Sequence, residues 1–194
     1  EGMKFLCRAA ADGAMLAWDV GLGKTSAALL SAQALIEGGS PPVVVVVCPA
    51  VVKGVWEAEA RKWCGHFFEV FVAYGTKNVG LPRAAVEAHE RHRPLLVVIN
   101  YDVAHAWYDQ LPPDVGVLVL DEVHYLLNER SRRSVATKLI AAQAIHRIAL
   151  SATPMTTRPR DLWNPIDTIS PERFGKGPWK FLHRYADAHK ETIA

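Results

Sequence analysis

Gly13-Ala-Met-Leu-Ala17-Trp18-Asp19-Val20-Gly21-Leu22-Gly23-Lys24-Thr25 runs from a short apolar stretch, through two glycines, into a lysine and a hydroxyl. Gly21 and Gly23 permit backbone shapes closed to other residues, so consecutive N–H groups can point at phosphate oxygens. Lys24 then reaches the β- and γ-phosphates, and the Thr25 hydroxyl can bind Mg²⁺. Ser26 to Ile36 is rich in Ala and Leu, with Leu29, Leu30, Gln33 and Ile36 at helical spacing. A helix starting there adds its positive dipole end. The cofactor-binding candidates are therefore Gly21, Leu22, Gly23, Lys24, Thr25 and Ser26. The usual pattern has one more glycine, five residues before Gly23, where this chain has Trp18.

A second stretch complements the first. Val115-Gly-Val-Leu-Val-Leu120 is almost wholly apolar and ends in Asp121-Glu122-Val123-His124. Such a run suits a parallel strand buried on both faces. Carboxylates at its carboxyl end lie where open α/β sheets hold their ligands. Asp121 can hold Mg²⁺ with Thr25, and Glu122 can polarise the attacking water. With Lys24, these two make the catalytic set.

The rest of the chain alternates strand and helix. The pattern predicts strands near 14–18, 43–48, 69–73, 95–99, 116–120 and 146–150. It predicts helices near 24–37, 54–64, 82–92, 131–143 and 159–169, with another near 178–189. Gly38-Gly-Ser-Pro-Pro42 and Pro112-Pro113 punctuate the boundaries. Alternation of this kind argues a mainly parallel sheet with helices on both faces.

Composition bounds the function classes. The chain has 194 residues, half of them hydrophobic, enough for one domain with a sizeable core. A net charge of +2 neither requires nor excludes a polyanionic partner. Cys7, Cys48 and Cys64 lack metal-ligand spacing; three cysteines in apolar surroundings suit reduced thiols in an intracellular protein, cytoplasmic or nuclear. No apolar run reaches membrane-spanning length, so no membrane partner is expected.

Several segments in order carry a family resemblance. Asp121-Glu-Val-His124 resembles the Asp-Glu-x-His box of superfamily-two helicases. Val43-Val-Val-Val-Val-Cys-Pro49 followed by Trp56-Glu-Ala-Glu59 resembles the Swi/Snf-type DNA-dependent ATPases in particular. So do Val97-Val-Ile-Asn-Tyr101-Asp102, Leu150-Ser-Ala-Thr-Pro154, Leu162-Trp163 and Pro171-Glu-Arg-Phe-Gly175. Departures mark a divergent member: Trp18-Asp19 stands where the family has Asp-Glu, Val51 where it has a hydroxyl, and Tyr125 and Leu127 where it has basic residues.

The resemblance implies a RecA-like P-loop α/β domain, the N-terminal lobe of a two-lobe motor using ATP and Mg²⁺ on double-stranded DNA. It implies a domain over 1–175 and a C-terminal helical extension over 176–194, leading toward a second RecA-like lobe absent from this sequence. It assigns nucleic-acid contacts to Pro49, Lys53, Tyr101 and Asp102, and coupling of nucleotide state to DNA to His124, Ser151 and Thr153. Trp56 reads as a core residue fixing its helix to the sheet. The alternatives are an RNA-binding DExH ATPase and a nucleotide switch that does not translocate.

Overall fold

A computed structural model describes residues 1–77, 80–155 and 158–186. In chain order the elements are α1 (Gly2–Ala9), β1 (Ala14–Leu16), α2 (Lys24–Glu37), β2 (Val43–Cys48), α3 (Lys53–Cys64), β3 (Glu69–Val72) and α4 (Leu81–Glu90). Then follow β4 (Leu95–Asn100), α5 (Ala104–Trp107), β5 (Val115–Asp121), α6 (Arg132–Gln143), β6 (Ala144–Leu150), α7 (Trp163–Ile169) and α8 (Trp179–Tyr185). The six strands form one sheet in the order β1-β6-β5-β2-β4-β3, and every pairing is parallel.

Residue chemistry explains the layers. Successive strand side chains point to opposite faces. Val44, Val46 and Cys48 therefore join Leu96, Val98, Val117 and Val119 on one face, against Leu6 of α1, Leu29 of α2 and Trp56 of α3. Val45 and Val47 join Val97, Ile99, Leu118 and Leu120 on the other, against Leu81 of α4, Trp107 of α5 and Ile140 of α6. Both faces are covered, so β2 can be a run of β-branched residues with no polar alternation.

The change of face follows the path of the chain. From β1 to β2 and on to β3, the chain steps one way across the sheet; through β4, β5 and β6 it steps back. Parallel crossovers are right-handed, so reversing direction moves the helices to the opposite face. α2 leaves β1 in one direction and α6 leaves β5 in the other, and β6 lies between those two strands. The crevice that such a reversal opens is at the carboxyl ends of β1, β6 and β5.

Some boundaries differ from the sequence expectation. β1 ends at Leu16, not 18, because the Trp18 and Asp19 carbonyls turn to accept from Lys24. The expected 159–169 helix divides into a 3-10 turn over Pro159–Leu162 and then α7. α5, a single turn, was not expected at all. Of the expected 178–189 helix, α8 packs Phe181 against Trp163, and residues beyond 186 lie outside those described.

Candidate nucleotide site

The loop after β1 is shaped by its glycines. Gly21 has φ +85° and Gly23 has φ +77°, both in the left-handed region that favours glycine. Gly23 caps α2, and the first α2 N–H with a backbone acceptor among the described residues is Ala27's, donating to Gly23 O at 3.0 Å. The N–H groups of Lys24, Thr25 and Ser26 thus stay turned toward the loop mouth, an anion cradle at a helix start. Nothing lies within 4 Å of where a Cβ on Gly21 would stand, so the cradle is open. Leu22 is exposed, its N–H donating weakly to Asp19 O at 3.4 Å; Ser26 Oγ donates to Gly23 O at 2.9 Å, closing the first turn. The Lys24 ammonium donates to Trp18 O at 2.8 Å and Asp19 O at 3.1 Å. Both partners are neutral carbonyls of its own loop, weaker company for an ammonium than a phosphate oxygen. Donor set and open cradle together fit a nucleotide phosphate chain.

Asp121 and Glu122 occupy the end of β5, across β6 from that loop. Burial pushes the Asp121 carboxyl above its ordinary range; the Trp56 indole pulls it back down, Glu122's charge adds to the rise, and Lys24's charge opposes it. Trp56 Nε1 donates to Asp121 Oδ2 at 2.9 Å, and the Tyr101 hydroxyl donates to Asp121 O at 2.8 Å. Oδ1 stands free of the indole, and a partly desolvated carboxylate in this position suits a hard divalent cation with Thr25.

Glu122 sits at φ +50°, ψ +56°, left-handed for a residue with a Cβ. Such a backbone costs about 1–3 kcal/mol and persists where surrounding contacts hold it. Here Ser151 Oγ donates to Glu122 Oε2 at 3.2 Å, and His124 Nδ1 lies 3.2 Å from the same oxygen. His124 Nδ1 is also 3.3 Å from Ser151 Oγ. A serine hydroxyl has one proton, committed to Glu122, so Nδ1 carries its own. Thr153 joins through its backbone N–H, which donates to Ser151 Oγ at 3.1 Å, while its side chain is exposed. His124, Ser151 and Glu122 thus form one hydrogen-bonded cluster beside Asp121.

The residues assigned to nucleic acid divide. Lys53 is 8% exposed; its ammonium donates to Ala73 O at 2.7 Å and lies 4.6 Å over the Tyr74 ring, so its charge faces inward. Tyr101 is 1% exposed, its hydroxyl is committed to β5, and its ring stacks on Tyr125 with centroids 5.4 Å apart. Pro49 is buried at the end of β2, and the outward residue of its loop is Val51, 89% exposed. Asp102 is exposed, 3.9 Å from Arg133. What the sequence reading missed is Trp56's bond to Asp121. The available signal was that a buried indole N–H, one turn into a helix starting at the carboxyl edge, requires a partner.

A parallel α/β sheet with a glycine phosphate loop and an acidic pair flanking one strand defines a RecA-like nucleotide-binding lobe. Residues 1–192 match the SNF2-related domain, and the chain belongs to that family. Among curated relatives, Protein CHROMATIN REMODELING 19 of Arabidopsis thaliana is 29% identical over 84% of this chain and 23% of its own length. The DNA annealing helicase and endonuclease ZRANB3 of Mus musculus is 29% identical over 97% of this chain and 17% of its own. This chain therefore spans less than a quarter of either relative. The Sulfolobus solfataricus SWI2/SNF2 ATPase core, solved in complex with dsDNA, superposes with a TM-score of 0.76 at 22% identity, over 96% of this chain and 37% of that one. The fold is that of the part of the SWI2/SNF2 ATPase core that this chain covers.

Proposed function

We propose that this segment is the first ATP-binding lobe of an ATP-dependent translocase acting on double-stranded DNA. The observation that carries the reading is the convergence of the Gly21–Ser26 cradle, Asp121-Glu122 and Ser151 on the two sides of β6. Residues 1–175 form the lobe, and 176–194 lead toward a second RecA-like lobe in the same protein. The family membership and the names of the relatives support DNA over RNA.

Each residue has a task in this reading. The N–H groups at the start of α2 hold phosphate oxygens, and the Lys24 ammonium moves from Trp18 O and Asp19 O onto the β- and γ-phosphates. Thr25 and Asp121 hold Mg²⁺, which when bound neutralises charge on the phosphates. Glu122 keeps Oε2 on Ser151 and offers Oε1 to a water aligned for in-line attack. An arginine from the second lobe is worth about a thousandfold or more in rate, so these 194 residues alone hydrolyse ATP slowly. The test is ATP turnover by the full-length protein with no nucleic acid, duplex DNA, single-stranded DNA or duplex RNA. Duplex DNA should stimulate most; stimulation by RNA alone refutes the DNA reading, and turnover by the isolated segment equal to that of the full-length protein refutes the missing arginine.

A further inference from the structure

We propose that Trp56 and Tyr101 are positioning residues that carry the state of two strand-to-helix connections, exposed at Val51 and at Asp102, to the magnesium-binding carboxylate Asp121. The inference rests on the reading above, in which Asp121 holds Mg²⁺, and it takes the exposed Val51 and Asp102 as the points where those connections meet DNA. Both side chains are fully buried, one near the start of α3 and the other just after β4, and both end on the same residue. Trp56 grips the Asp121 side chain at Oδ2, and Tyr101 grips its backbone carbonyl.

Each grip is rigidly tied to its segment. The chain passes from Pro49 through a 3-10 turn, Ala50–Val52, straight into α3, with Val51 outermost. Lys53 at the start of α3 is bolted to Ala73 O beyond β3, and Trp56 lies one turn further along the same helix. The inward Lys53 ammonium is thus the anchor about which the first turn of α3 is held. A load on the 49–53 turn acts through that one helical turn on the indole. On the other side, Tyr101 immediately precedes the exposed Asp102, and its ring is clamped flat against Tyr125, the neighbour of His124. Core packing is too dense to deform smoothly, so a displacement of either segment moves its donor as a unit.

The chemistry makes the grips consequential. A carboxylate that ligates a metal depends on outer hydrogen bonds for its orientation, and removing one typically costs roughly tenfold or more in metal affinity. The indole occupies Oδ2 and so would leave Oδ1 to a cation. The Ser151–His124–Glu122 cluster senses the phosphate side; Trp56 and Tyr101 give the metal side its own connection to the DNA face.

The experiment uses the full-length protein labelled with fluorotryptophan, the Trp56 signal being assigned by its loss in Trp56→Phe. Four forms are compared: wild type, Trp56→Phe, Tyr101→Phe and Asp121→Asn. Nucleotide binding is titrated with Mg²⁺, without relying on turnover, and the fluorine spectrum is recorded on adding duplex DNA alone. The expected result is a half-saturating Mg²⁺ concentration raised roughly tenfold in Trp56→Phe, with nucleotide binding in excess chelator unchanged. The Trp56 signal should also move when DNA is added to wild type. A lowered melting temperature with an unchanged Mg²⁺ requirement overturns the proposal, as does a Trp56 signal indifferent to DNA. Tyr101→Phe removes one hydroxyl and keeps the ring, so it decides the matter if Trp56→Phe does not fold; an unchanged Mg²⁺ requirement there overturns the proposal equally. Wild-type nucleotide binding that ignores Mg²⁺ and is unaffected by Asp121→Asn overturns the parent reading itself, whatever Trp56 does.

Discussion

The two halves of the nucleotide site are built on opposite principles. The Gly21–Ser26 loop is open: its glycines sit at positive φ, Leu22 stands in solvent, and the Lys24 ammonium rests on two carbonyls of its own loop. The Asp121–Glu122 end of β5 is finished: each carboxylate already has a donor, and Glu122's unusual backbone is held by Ser151 and His124. The contrast follows from charge. A phosphate chain brings its own acceptors, so a loop of N–H groups and one ammonium can wait for it. Paired carboxylates beside a hydrophobic sheet cannot wait, because unpartnered buried charge is costly. One half is organised by its ligand and the other organises it.

The strongest way to break this contrast is to remove one charge from each half of the full-length protein. Lys24→Ala should weaken ATP binding on the order of a hundredfold, since a charged partner of the phosphates is lost in the ground state. Glu122→Gln should bind ATP as the wild type does and lose roughly a hundredfold to ten-thousandfold in turnover, since the carboxylate acts on water. Equilibrium binding and single-turnover kinetics separate the two. A Glu122→Gln protein with weakened binding and normal turnover would show that the roles are exchanged.

A finer probe uses Ser151, which touches Glu122, His124 and the Thr153 backbone at once. Ser151→Ala should lower the ratio of DNA-stimulated to basal ATPase by about fivefold or more, the scale of a coupling free energy. Thr153→Ala keeps the backbone N–H that does the bonding and should leave the ratio alone. Equal losses in basal and stimulated rates for Ser151→Ala would assign the hydroxyl to chemistry or packing instead.

The two halves were unequally legible in the sequence. β2, Val43–Cys48, is where the apolar run predicts it, and the loop and the Asp121-Glu122 pair lie at strand ends as expected, because apolar runs and glycine spacing are local signals. The roles expected of Ser151 and His124 came from the family resemblance. What stayed hidden were contacts set by packing between residues far apart in the chain. Trp56 and Asp121 are 65 residues apart, and nothing local in either announces the other. Lys53 is the reverse case: a lysine at a helix start looks solvated, yet its stem lies in the α3 stripe and its ammonium finds Ala73 O. α5 was missed because one helical turn has no period to detect; Trp107, donating to Gly75 O, fixes it.

Stability tests the open half directly. Gly23 is at φ +77°, ψ +32°, and an Ala there should cost about 1–2 kcal/mol in a urea melt. The damage should be confined to the loop, leaving β5 and its hydrogen bonds intact. A Gly23→Ala protein as stable as wild type would mean that the loop relaxes into another shape without cost.

The finished half makes the smallest and most specific prediction. Burial pushes the Cys48 thiol up to about 12, with the Asp121 charge adding to the rise and Lys53 opposing it. Cys48 Sγ faces the Ile99 carbonyl at 3.6 Å, at the buried end of β2 beside both grips on Asp121. Because the folded state holds this proton more tightly than the unfolded chain, its contribution is fully present below the ordinary thiol value of 9.0. It is lost as pH rises from there toward 12. Stability of the wild type should therefore fall over that window more steeply than that of Cys48→Ala, with the two melts compared at each pH. Cys48 should also resist alkylation at pH 8, where only a thiolate reacts. Rapid modification of the folded protein at that pH would mean that the end of β2 opens to solvent, and that the half described here as finished is not.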